Sequence, residues 1–225
     1  MTINDRPTGW PGFEDVDAYT MGDAARRCQV GGVIDGLKPQ TAGSGFVGRA
    51  LTARVEYHPN TPLPLGQYGA AALLDRVAPG DVVILDGGAR FLSAFGDLAI
   101  TIIQRRGGVA AVVNAAVRDI EDIDPTFPLF ARGVAITSIA SHGFITGVGE
   151  PVHVEGIKIE TGDLVAGCKG GIVAVPAGAA DEVRRQSLEI IESDRRVREG
   201  LERGESMGSL WQQHKATGGA EPQGR

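Results

Sequence analysis

The chain of 225 residues has little cysteine, few aromatics, a deficit of basic charge and no apolar run approaching a membrane span. Its two cysteines, Cys28 and Cys168, lie far apart and form no C-x-x-C, which fits a reduced compartment better than a disulfide framework. Lys plus Arg number 22 against 28 Asp plus Glu, a formal charge of -6, so there is no basic footprint for nucleic acid. The opening MTINDRPTGW is polar and Pro-containing, unlike a signal peptide, and no stretch nears the roughly 20 apolar residues of a transmembrane helix. These absences lead to the expectation of a soluble cytoplasmic protein with neither a nucleic-acid nor a membrane partner. Several catalytic signatures are missing as well. There is no G-x-x-x-x-G-K-[ST], no G-x-S-x-G around Ser44 or Ser93, and no H-E-x-x-H among His58, His142, His153 and His214. None of Lys38, Lys158, Lys169 and Lys215 stands in a context that singles it out for Schiff-base chemistry.

What is abundant is glycine. The 33 glycines exceed the usual share of roughly 7% and point to tight turns and close backbone approaches. A 42% hydrophobic content at this length suits one domain. We read an N-terminal arm over 1–20, a single domain over 21–205 and a frayed tail over 206–225.

Within the domain, a helix is expected over 21–29, a strand in FVGRALTARVEY (46–57) and a helix over 66–76. The segment APGDVVILDGG places a turn before a buried strand that ends at Asp86. FGDLAITIIQRRGG then reads as a helix with Asp97 in its first turn, Arg105 and Arg106 in its last, and two glycines as its stop. GVAAVVN is the next strand. Strand, helix, strand implies a βαβ unit whose strand ends gather on one edge, where Asp86 and the Arg118–Asp119 pair should meet. FARGVAITSI, PVHVEGIKIET, GDLVAGC and GGIVAVP are short β segments, and 179–203 forms a long charged helix.

Three features of this layout could carry chemistry. A helix beginning at Gly96 exposes unpaired N–H groups that can cradle a carboxylate or phosphate, although Asp97 could simply favour the helix start. Arg118 and Asp119 are either a strand-end ion pair or a site: one carboxylate suffices for a largely hydrated Mg²⁺, and an adjacent Arg can hold an anion. On the last helix, Val183, Ser187, Ile190, Asp194, Val197 and Leu201 follow a stripe of steps of four and three. A carboxylate in that stripe needs a partner, either an Arg across a subunit interface or a site on a neighbouring subunit.

The joint order GDVVILDGG, FGDL, RRGGVAAVVNAAVRD, FPLFARG, GDLVAG and GGIVAVP resembles the RraA-like family, over roughly residues 20–205. That family contains 4-hydroxy-4-methyl-2-oxoglutarate aldolases, oxaloacetate decarboxylases and the regulator of ribonuclease activity A. The resemblance implies an α/β fold, a swivelling β/β/α domain with a C-terminal interface helix, assembled as a homotrimer or a dimer of trimers. It further implies a lyase dependent on Mg²⁺ or Mn²⁺ that forms pyruvate from a 4-hydroxy-2-oxo dicarboxylic acid, or decarboxylates oxaloacetate.

On that resemblance Asp119 is the metal ligand, and Arg118 contacts the substrate and the enolate oxygen. Gly96, Asp97, Leu98 and Ala99 bind the substrate carboxylate, with Gln67 a further contact. Asp97 holds a water, and Asp194 arrives from a neighbouring subunit. The chain departs from the family pattern at Asn114-Ala115, where a carboxylate is usual, at Cys168-Lys169-Gly170-Gly171, which replaces an acidic turn, and at Ala71, where a histidine can occur. These departures bear on the substrate. The family also offers a non-enzymatic alternative, regulation of a ribonuclease through protein contacts. Retention of Asp119 favours an enzyme, whether of the known type or acting on another substrate of a specialised pathway.

Overall fold

The computed structural model describes residues 8–58, 68–87 and 91–216. The N-terminal part comprises α1 (Ala18–Cys28), β1 (Gly32–Ile34), β2 (Lys38–Pro39), β3 (Phe46–Tyr57), α2 (Ala70–Leu74) and β4 (Asp81–Asp86). Next come β5 (Ser93–Phe95), α3 (Asp97–Arg105), β6 (Ala110–Val117), β7 (Leu129–Val134) and β8 (Gly143–Thr146). The rest is β9 (Val152–Val154), β10 (Ile157–Ile159), β11 (Leu164–Cys168), β12 (Gly171–Val175), α4 (Ala180–Glu202) and α5 (Met207–Ala216).

Ten of the described strands join one sheet, ordered β1-β12-β11-β3-β4-β6-β7-β2, with β5 beside β6 and β8 beside β3. Its centre, β3, β4, β6 and β7, is parallel, as is β5 on β6, whereas β1, β2, β8, β11 and β12 pair antiparallel. Parallel strands covered on both faces need apolar residues at consecutive positions. β6 meets that condition, since all eight of its residues are buried.

Side-chain parity separates the two faces. Ala50, Val82, Ile84, Val112 and Phe130 point towards the β9–β10 hairpin, which covers one face. Leu51, Val83, Leu85, Ala111, Val113 and Leu129 point towards α2 and α3 on the other. On that same side α1 and α4 cover β11 and β12, through Met21, Ala24, Val183, Ala166 and Val173. Hairpin, sheet and helices make the β/β/α layering expected from the sequence.

Local chemistry sets the helix ends. The Asp17 carboxylate accepts from the Thr20 backbone N–H at 2.8 Å and caps α1, which closes on Gln29 in the left-handed region. α1 therefore starts three residues before the expected 21. The helix expected over 66–76 is described only as α2, because 59–67 lie outside the described residues. EGIKIETGDLVAG is strand, turn and strand as read, but the strands part company: β10 pairs with β9, while β11 pairs with β3 and β12.

Both ends of the domain hold more structure than the sequence suggests. Phe13 and Val16 of the supposed arm are buried beneath α1 and α4. The tail, expected to fray over 206–225, begins as α5, whose Leu210 packs on α4 at Gly200. The α4 stripe needs correction as well. Val183, Ser187 and Ile190 are buried, but Asp194 is exposed and Leu201 is 46% exposed, because the α1 and sheet packing ends near Ile190.

Candidate active site

Beyond the bulge in β6 between Val113 and Ala116, the strand leaves β4 and pairs with β5. The Arg118 N–H donates to the Phe95 carbonyl at 3.0 Å, which binds the end of β6 to the strand that leads into α3. Asp119 follows in the left-handed region at φ 56. The Arg118–Asp119 pair and the first turn of α3 are thereby placed side by side, at the mouth of a cleft of about 250 Å³.

Gly96 makes this approach possible. A Cβ at that position would lie 2.5 Å from Asp119 Oδ2 and 3.2 Å from Arg118 Cγ. Among the described residues no side chain caps α3, unlike α1, which leaves its first amides able to bind an anion in the cleft. Arg118 Nε donates to Asp119 Oδ2 at 3.1 Å, with both side chains more than a third exposed, at 43% and 37%. An exposed pair of this kind contributes about 0–1 kcal/mol. Left-handed backbone at a non-glycine residue costs of order 1 kcal/mol or more. The ion pair alone therefore does not offset the cost of this backbone.

The cleft floor is β5. Ser93 is buried and its hydroxyl donates to the Phe95 carbonyl at 2.9 Å. The Tyr68 hydroxyl donates to the Ala94 carbonyl, and burial pushes its phenol well above the usual tyrosine range, opposed in part by the Arg118 charge. Tyr68 is thus a neutral donor and wall at any physiological pH.

Of the residues singled out in the sequence, Gly96, Asp97, Leu98, Ala99, Arg118 and Asp119 all line this cleft. Gln67 lies outside the described residues. Asp194 does not join the others: it is exposed on α4, over the β11–β12 half of the sheet, so it could reach such a cleft only from a second copy of the chain. Asp86 also goes elsewhere, because β4 ends beside Asn114 and both side chains face the hairpin layer.

Asn114 is buried there and donates to Asp86 Oδ1 at 2.6 Å, while Arg132 Nε donates to Asn114 Oδ1 at 2.6 Å. Arg132 continues to Glu155 at 3.2 Å, tying sheet to hairpin. Asn114 thus ties β4, β6 and β7 together and, through Arg132, to the hairpin, on the face away from the cleft. Cys168 and Lys169 form the β11–β12 turn, Ala71 is exposed, and neither site lines the cleft. Sequence reasoning missed Tyr68, Ser93, Ile102, Ser138 and Ala140, which line it. Only Ile102 carried a signal, four residues after Leu98 on one helix face.

The donor set fits a hard cation better than a zinc-type cage. No three His, Cys, Asp or Glu side chains converge among the described residues. Asp119, with one oxygen engaged by Arg118, could supply one carboxylate oxygen to an ion that keeps most of its water, as Mg²⁺ does.

Comparison with known proteins agrees with this architecture. The model of the RraA-like family, described as Aldolase/RraA, matches residues 16–174. Protein DlpA of Legionella pneumophila is 25% identical over 189 residues, 83% of this chain, although the chain spans only 30% of DlpA. A Halalkalibacterium halodurans protein named "Putative 4-hydroxy-4-methyl-2-oxoglutarate aldolase" is 29% identical over 153 residues, covering 67% of this chain and 69% of that one.

Among solved structures, an uncharacterized Pseudomonas syringae protein superposes with a TM-score of 0.79 at 25% identity, over 90% of this chain and 92% of its own. Streptomyces coelicolor RraAS2, described as an unusual member of the RNase ES inhibitor RraA protein family, superposes with a TM-score of 0.74 at 23% identity, over 86% of this chain and 98% of its own. At that identity the likeness is one of fold. The chain belongs to the RraA-like family, which includes both aldolase-type enzymes and RraA regulators.

Proposed function

We propose that this chain is a carbon–carbon lyase dependent on Mg²⁺ or Mn²⁺ that cleaves a 4-hydroxy-2-oxo dicarboxylic acid to pyruvate and a carbonyl product. Loss of CO₂ from a β-keto acid such as oxaloacetate runs through the same pyruvate enolate and is the companion activity to assay. The observation that carries the proposal is the packing of the Arg118–Asp119 pair against the uncapped start of α3, at a glycine that no other residue could replace without displacing the Asp119 carboxylate.

Asp119 would hold the ion, which supplies Lewis acidity at the 2-oxo and carboxylate oxygens. The chain's own groups do the rest. The amides of Asp97, Leu98 and Ala99 bind the substrate carboxylate, with the positive end of the α3 dipole behind them. The Arg118 guanidinium faces the 2-oxo oxygen and stabilises the negative charge that develops there as the C3–C4 bond breaks. The proton leaving the C4 hydroxyl passes to a water held by Asp97, and the same water can return a proton to C3 to give pyruvate. Tyr68, kept neutral by burial, closes one wall without competing for that proton.

Asp194 joins this chemistry only if a second copy presents α4 to the cleft. The proposal therefore includes assembly as a homotrimer or a dimer of trimers, in which the exposed half of the α4 stripe packs between copies. The test is pyruvate release with Mg²⁺ or Mn²⁺, together with calorimetric titration of the metal. Asp119→Ala should lose both metal binding and turnover, and equal turnover by that variant would refute the proposal. Recovery of a ribonuclease partner in a pull-down, with no measurable metal affinity, would instead support the regulator reading that the family also contains.

A further inference from the structure

We propose that Ser93 is a positioning residue for the Arg118–Asp119 pair, acting through the Phe95 carbonyl. Its effect on turnover rests on the lyase reading; its effect on the geometry of the site does not.

β5 reaches α3 through an irregular step. Ser93 is in register with Ala116 and Phe95 with Val117, so Ala94 is an extra residue set against a single step of β6. Such a bulge disrupts the ladder locally, and buried backbone groups that the ladder does not take need other partners. Hydroxyls supply them here. Tyr68 donates to the Ala94 carbonyl, and Ser93 donates to the Phe95 carbonyl at 2.9 Å. Ser93, Ala94 and Phe95 are 2%, 4% and 2% exposed, so bulk water does not stand in for a lost donor.

The Phe95 carbonyl is the junction of the site. It also accepts the Arg118 N–H at 3.0 Å, and its peptide leads into Gly96, against which the Asp119 carboxylate closes. The Ser93 backbone is held from outside β5, since its N–H donates to the Thr137 carbonyl at 2.7 Å and it bridges to Ser138. An anchored serine thus clamps the carbonyl that holds Arg118. Without the hydroxyl, this peptide keeps the Arg118 N–H, loses its second donor and can turn about the bulge. The displacement falls on Arg118 and Gly96 together, whose mutual placement brings Asp119 to the α3 start.

Ser93→Ala removes the hydroxyl oxygen alone, and Ser93→Thr keeps a hydroxyl. The control for stability lost elsewhere is Thr52→Val, which removes a buried hydroxyl bonded to the Glu150 carbonyl on the face that Ala50 shares with the hairpin. In the ligand-free protein, hydrogen exchange at the Arg118 amide is compared with that at Val112 in the middle of β6. The Arg118-to-Val112 ratio should rise roughly 5- to 10-fold in Ser93→Ala, about the effect of one hydrogen bond, and stay at its parent value in the other two variants.

With Mg²⁺ and 4-hydroxy-4-methyl-2-oxoglutarate, Ser93→Ala should lose on the order of 10-fold in kcat with KM near its parent value, because Arg118 acts on charge that develops in the transition state. Ser93→Thr should recover most of that loss, and Thr52→Val should show none of it. Should the threonine methyl unfold the buried bulge, Ser93→Cys, with its weak S–H donor, should fall between serine and alanine. A parent chain without turnover would sink the lyase, and the exchange ratio would still decide the clamp. An unchanged ratio in Ser93→Ala, or an equal rise in Thr52→Val, would overturn the inference. So would a parental kcat for Ser93→Ala in an active protein.

Discussion

Replacing Gly96 by alanine separates the positioning of Asp119 from the stability of the fold. Gly96 sits at φ -126 and ψ -166, an extended conformation open to any residue, so the substitution introduces no backbone strain. Its whole effect is the new methyl group, 2.5 Å from Asp119 Oδ2, where ordinary contact begins at 3.4 Å. The carboxylate must retreat by close to an ångström. Asp119 is partly exposed and its carboxylate is a side-chain tip, so the retreat is cheap for folding: about 1 kcal/mol, or a Tm lower by about 2–4 °C.

The same retreat is expensive for function, because a displacement of about 1 Å at the reacting groups costs on the order of 100-fold. We expect Gly96→Ala to melt almost normally, to bind Mg²⁺ more weakly by calorimetry, and to lose about two orders of magnitude in kcat/KM for pyruvate release. Full activity with a normal Tm would show that the Asp119 carboxylate need not sit against α3, and would refute the reasoning.

Other perturbations test the surrounding structure. Asn114→Leu leaves Asp86 and the Arg132 Nε without their amide partner, so stability should fall by about 1–3 kcal/mol in denaturant titration while KM stays near its parent value. An unchanged midpoint would show that the link is not structural. Tyr68→Phe removes the hydrogen bond to Ala94 and should cost about 1 kcal/mol.

The alkaline limb of stability should carry the mark of Tyr68. Its folded pKa is raised, so its contribution is complete below the ordinary tyrosine value near 10 and is lost as pH climbs through the folded value. An alkaline melting profile identical in Tyr68→Phe would contradict this. Leu210→Ala empties the contact on Gly200 and should destabilise by about 2–3 kcal/mol, with the amides of α5 the first to lose protection in hydrogen exchange.

Much of the site was legible because its signals are local. FGDL announces a helix start with a glycine at its cap, and RD after an apolar run announces a strand end. These short-range patterns and the family resemblance singled out Gly96, Asp97, Leu98, Ala99, Arg118 and Asp119, which line one cleft. Where the reading strayed, the missing quantity was non-local. Asn114 drew attention as a departure from the family pattern, and Asp86 as a companion of Arg118 at the strand ends of one edge. Parity sends the first two to the hairpin face, and the bulge carries β6 past the end of β4 before Arg118 appears. Asp194 followed the stripe of a buried helix, but a heptad-like pattern does not say how far the partner surface extends, and here cover within the chain stops near Ile190.

The sequence by itself determined the order of strands and helices, the family and the charged end of the cleft, since periodicity, turn residues and neighbouring motifs are written along the chain. Only the tertiary structure decided that α2 and α3 together line the cleft, that Tyr68 and Ser93 complete its walls, and that Asn114 belongs to the opposite face. Those facts depend on sheet register and helix docking, which join residues far apart in sequence and leave no pattern within either segment alone.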